Sequence, residues 1–125
     1  MFTITEDKTI FLTRGDVASI EIMANTGDDK PYIFQPGDVV RFKVFVRKQC
    51  DKVVLHKDAV VESETEKVDI SLSSSDSKMG EIINKPTDYW YEIELNPDTN
   101  PQTIIGYDSD GPKILRLLPE GGEVA

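Results

Sequence analysis

The 125-residue sequence predicts an all-β fold, an antiparallel β-sandwich of about seven to eight strands with one short helical turn, with an irregular small barrel as the alternative. Three observations carry that prediction. Runs of alternating apolar and polar residues recur along the chain, separated by clusters of turn formers. Two of these runs are launched by the same Gly-Asp pair, in LTRGDVASIEIMA and QPGDVVRFKVFV. Glycine tolerates the dihedrals of a tight turn, and Asp hydrogen-bonds its own backbone just beyond it. No segment sustains a helical period.

In chain order, Phe2 to Thr5 and Thr9 to Thr13 read as a first strand interrupted by Glu6-Asp7-Lys8. After Gly15-Asp16, the residues Ala18, Ile20, Ile22 and Ala24 share one parity, as in a half-buried strand. Asn25 to Pro31 is a loop, and Gln35-Pro36-Gly37-Asp38 a second turn. In the strand from Val39 to Arg47, Val40, Phe42, Val44 and Val46 point one way, and Arg41, Lys43 and Arg47 the other. Lys48 to Lys52 reads as a hairpin turn, with Val53 to Val61 returning. Val68, Ile70 and Leu72 form a shorter strand. Ser73 to Gly80 is the expected helical turn, with serines at its start and glycine at its end. Asp88 to Leu95 alternates again: Tyr89, Tyr91, Ile93 and Leu95 against Trp90, Glu92 and Glu94. Gln102 to Tyr107 and Lys113 to Leu118 flank a Gly-Pro loop and read as a final hairpin. The domain is expected to span 1–118, with 119–125 a flexible tail.

Composition narrows the chemistry. The net charge of −9 is concentrated in the second half: residues 63–125 hold five Lys/Arg against thirteen Asp/Glu. Such a surface repels phosphate backbones, so direct nucleic-acid binding is not expected, although an acidic surface can act as a decoy for a DNA-binding protein. One cysteine, Cys50, permits neither an internal disulfide nor a Cys-based zinc site. One histidine, His56, permits no histidine metal cluster, and it has no nucleophile at a diagnostic spacing. No apolar run has the length of a membrane span. There is neither a P-loop nor a dinucleotide fingerprint, and no carboxylate pair stands out as an acid-base couple. The expectation is a non-enzyme, with no catalytic residue, cofactor or metal to name.

Two motifs invite sharper readings. Arg14-Gly15-Asp16 spells an adhesion tripeptide, but Gly37-Asp38 repeats the pair without the arginine, so turn chemistry explains both. Asp108-Ser109-Asp110-Gly111 resembles the start of a calcium loop but lacks the later ligands, and a hairpin loop is the better reading. The remaining candidates lie on outward faces. Arg41 and Lys43 decorate one strand, and Glu92 and Glu94 another. As neighbours they form cross-strand ion pairs; on different sheets they form two oppositely charged faces suited to head-to-tail association. Trp90 shares the parity of Glu92 and Glu94, which makes it a candidate interface anchor. The bland alternative is that both faces of its strand are partly covered.

Taken in order, LTRGD with its strand, PYIFQPGDVVRFKV, VDISLSSSDSK, DYWYEIEL and the final ILRLLPE segment resemble the N-terminal domain of phage baseplate upper proteins. They are similar as well to related small tail proteins of phages and prophages in Gram-positive bacteria. The resemblance covers Ile10 to Glu120. The chain departs from the pattern at Met79 to Thr87, which carries Pro86 where such proteins often have a sharp Leu-Pro-x-Gly turn. The resemblance implies an Ig-like β-sandwich and a non-catalytic virion protein of the tail or baseplate, without a cofactor, assembled in the bacterial host cytoplasm. Other phage structural proteins, or further copies of the chain, would be its partners. Two other expectations stand beside it: an acidic phage-encoded inhibitor of a host nucleic-acid or defence enzyme, and a carbohydrate- or receptor-binding sandwich that stacks ligand on Trp90, Tyr89 and Tyr91.

Overall fold

A computed structural model describes residues 2–4, 8–25, 30–46, 49–106 and 111–120, without the side chains of 2–4 and 49–51. These residues form nine strands: β1 (Phe2–Ile4), β2 (Ile10–Thr13), β3 (Ala18–Ile22), β4 (Val39–Val46), β5 (Gln49–Val60), β6 (Val68–Leu72), β7 (Thr87–Leu95), β8 (Gln102–Ile105) and β9 (Lys113–Leu118). They build a β-sandwich of unequal layers. One sheet has seven strands in the order β1-β2-β9-β7-β4-β5, with β8 also on β7; the other contains only β3 and β6.

The alternation seen in sequence sets which face is buried. Val40, Phe42 and Val44 of β4, Tyr91 and Ile93 of β7, and Leu115 and Leu117 of β9 are each at most 2% exposed. Ile20, Ile22, Ile70 and Leu72 of the small sheet close over them at the same depth. The apolar surface removed from water along this seam is the main source of stability. Phe34, from the loop before β4, is fully buried and packs edge-to-face on Tyr32 at 5.2 Å between ring centroids.

Both Gly-Asp pairs are turns with left-handed glycines. Gly15 has φ 90° and Gly37 φ 93°, and each following Asp amide donates three residues back, Asp16 to Thr13 and Asp38 to Gln35, at 3.0 Å. The second copy also serves as a junction. The Asp38 carboxylate accepts from the Gln35 amide at 2.9 Å, the Tyr32 hydroxyl at 2.8 Å and the Asn96 side-chain amide at 3.1 Å. Asn96 in turn accepts from the Val39 amide at 2.8 Å and donates its own amide to the Val39 carbonyl at 2.7 Å. The start of β4 is thereby fastened to the turn after β7.

The structure departs from expectation in five places. The interrupted first strand is two antiparallel strands, β1 and β2. The segment 49–52, expected to be part of a turn, is strand, so Cys50 belongs to β5. The Ser73–Gly80 segment forms hydrogen-bonded turns and no helix: the Ser77 amide donates to the Ser73 carbonyl, and the Asp76 carboxylate caps the Ser73 amide. β8 and β9 are not a hairpin. Both lie antiparallel on the same edge of β7, β8 against Ile93–Leu95 and β9 against Thr87–Tyr91. Finally, β2 joins β9 in parallel, so the large sheet is not wholly antiparallel. The last two share a cause: strand pairing is decided by which edge is free in the folded molecule, and that information is non-local. The calcium-like segment 108–110, the acidic pair 28–29, Arg47 and most of the expected tail lie outside the described residues, although Glu120 packs against Gly15.

Candidate protein-interaction face

β4 and β7 are adjacent, which decides between the two readings of their charges. The register places Arg41 opposite Glu94, Lys43 opposite Glu92 and Phe45 opposite Trp90, all on the face turned away from the small sheet. The five residues singled out from sequence therefore share one face as cross-strand neighbours, and the reading of two oppositely charged faces does not hold.

Arg41 is the most constrained of them. Its guanidinium reaches Asp58 of β5 through two bonds, Nε at 2.8 Å and Nη2 at 3.0 Å, and also contacts Asp98 beyond β7 at 3.1 and 3.3 Å. This fork geometry suits a carboxylate better than a lysine would. The hydrogen bond from Arg41 outweighs partial burial and holds the Asp58 carboxyl below its usual range. Lys43 sits between two carboxylates, with Nζ 3.7 Å from both Glu92 and Glu94. Burial, followed by repulsion from Glu94, pushes the Glu92 carboxyl up despite Lys43. Each exposed pair of this kind contributes about 0.2–1 kcal/mol, so their larger effect is to hold side chains in one arrangement.

Beside the charges runs an apolar row. Trp90 is flanked in register by Phe45 on β4 and Ile114 on β9. Phe45 is 7% exposed although it points away from the core, while Trp90 and Ile114 are half-buried. Partial cover on both faces of β7 is thus the correct description of Trp90. One position along, Arg116 clamps Asp88 at 2.7 and 3.0 Å and lies over the Phe11 ring, 5.5 Å from its centroid. Phe45 shares the parity of Arg41 and Lys43 and was accessible to sequence reasoning. Ile114, Asp58 and Asp98 were not, because only the strand register brings them here.

The other candidates resolve differently. Arg14 is 4% exposed and donates to the Lys78 carbonyl at 3.0 Å, while the Gly15 amide donates to the Ser77 hydroxyl at 2.9 Å. A buried arginine cannot be presented at a loop tip, so this tripeptide is a structural turn. Tyr89 and Tyr91 face the core at 8% and 2% exposure, which removes the three-ring stacking platform. His56 is exposed on β5, with Nε2 3.7 Å from Asp58. Among the described residues, no three His, Cys, Asp or Glu side chains gather as a metal site, and no helix is long and apolar enough to cross a membrane. No protein-family model matches the chain, and neither the curated proteins nor the solved structures contain a match to it.

Proposed function

We propose that the chain is a non-enzymatic structural module of a phage or prophage tail or baseplate, working through protein–protein contacts on the outer face of its large sheet. The observation that carries this reading is the combination on that face: a lattice of ion pairs around Arg41 and Lys43 beside a half-buried tryptophan row. Docking on preformed side chains orders little that was free, and tryptophan is the residue most enriched where interface energy concentrates. The sequence resemblance to baseplate modules supplies the setting.

The test is incorporation. Particles from a strain carrying the gene are purified on a density gradient and probed for the chain. The wild type is expected in the particle fractions, and a folded Trp90→Ala variant in the soluble fractions. Absence of the wild type from particles refutes the proposal. The charge imbalance of the second half would then favour the inhibitor reading, tested by competition with DNA for a basic host protein.

A further inference from the structure

The layers of this sandwich do not match. The small sheet is only two strands, about 10 Å, wide, and it covers a seven-stranded partner. On the β5 side the two layers are tied by Lys57 and Asp76 at 3.1 Å. On the other side they part around a cleft of about 770 Å³. Leu95 lies within it, Ile104 and Ile105 of β8 form one wall, and Met23 and Ala24, just past β3, form the other. Lys8 stands at its margin.

Both strands that border the cleft have an unused edge. Among the described residues β3 pairs only with β6, and β8 only with β7. The β8 edge is interrupted: Ile93 faces Ile105 while Glu94 faces Thr103, so Ile104 is an extra, bulged residue. Bulges blunt an edge against strand addition. The β3 edge carries no such irregularity over Ala18–Ile22. Met23 is 52% exposed, an unusual setting for a long apolar side chain beside a free strand edge.

We propose that this cleft receives an extended segment of a partner polypeptide, which adds to the free edge of β3 as a third strand of the small sheet. Its backbone meets the alternate amides and carbonyls of β3 that point away from β6. Every second side chain of the segment is apolar and packs on Met23, Ile104 and Ile105. Charge defines it further. Glu21, on the β3 wall, is already engaged by Lys67 at 3.7 Å, whereas Lys8 makes no ion pair among the described residues. The segment therefore carries a carboxylate where it passes Lys8. A second copy adding β3 to β3 is the poorer occupant, because the one acidic residue of that strand, Glu21, is already engaged by Lys67 and offers Lys8 no free carboxylate; a dimer in solution would overturn the proposal. This site is separate from the outer face that carries Trp90.

The experiment is an array of short peptides, about eight residues long, probed with the labelled full chain. The expected outcome is enrichment of sequences with alternate apolar residues and one acidic position. Met23→Lys changes an exposed position and leaves the fold intact, as circular dichroism checks; it should lower the signal about tenfold. Val60→Lys, at the exposed end of β5, should leave it unchanged. With the best peptide, hydrogen exchange should slow about tenfold or more at alternate β3 amides. Lys8→Ala should abolish the acidic preference alone, and Trp90→Ala should alter nothing. An array without the alternating signature, equal binding by Met23→Lys, or protection on β5 instead of β3 overturns the proposal.

Discussion

Asp38 offers the sharpest test of how this sandwich is held together. Its carboxylate accepts three hydrogen bonds, from Gln35, Tyr32 and Asn96, and through Asn96 it links the loop before β4 to the turn after β7. Asp38→Asn keeps the size of the side chain but turns one acceptor oxygen into a donor, which then meets another donor. Hydrogen bonds to a charged group are worth about 1.5–3 kcal/mol each, but solvent reaches this site, so the loss is set at about 1–3 kcal/mol in total. For a domain of this size that is a fall in Tm of roughly 3–12 °C. Burial raises the Asp38 carboxyl, but its hydrogen bonds more than offset this, and the net shift is downward. A lowered folded-state pKa stabilises above the unfolded value, about 3.9, and that contribution disappears as pH falls through the folded value. Thermal melts of wild type and Asp38→Asn should thus differ at pH 7 and converge near pH 2. Equal melting at pH 7, or a deficit that persists unchanged at pH 2, would refute the reasoning.

The two Gly-Asp turns should respond alike to alanine. In both, the left-handed backbone is strained, at about 1–2 kcal/mol; at Gly37 the added methyl meets open space, and at Gly15 it meets the Glu120 carboxylate at 2.8 Å, the free end of a flexible side chain that can swing outward. Urea denaturation should show similar losses, and a much larger one for Gly15→Ala would show Glu120 to be locked in place. Lys43→Ala leaves Glu92 and Glu94 side by side without their cation and should cost about 0.5–1 kcal/mol at pH 7, whereas Glu92→Gln should be neutral or stabilising. Burial raises the Glu92 carboxyl, so its ionised form is the one disfavoured by folding, and the benefit of Glu92→Gln should vanish below about pH 4. Integrin-bearing cells should not adhere to the folded chain, because Arg14 is buried; adhesion that Asp16→Glu abolishes would show the tripeptide to be presented.

Local pattern was enough for the class of fold and for the facing of most strands. Val40, Phe42, Val44, Tyr89, Tyr91 and Ile93 are buried as their parity predicts, because a side-chain period of two is written into consecutive residues. The repeated Gly-Asp turn was legible for the same reason: a left-handed glycine and its Asp are chemistry of adjacent positions. That parity also placed Trp90, Arg41, Lys43, Glu92 and Glu94 on outward faces, but it could not say whether those faces were one. The answer came from the register of β4 against β7, a contact between segments about fifty residues apart. The parallel joining of β2 to β9, the shared seat of β8 and β9 on β7, and the width of the small sheet were decided in the same way. A strand's sequence states which face it buries. Which edge it offers, and to whom, is settled only when the other strands compete for it.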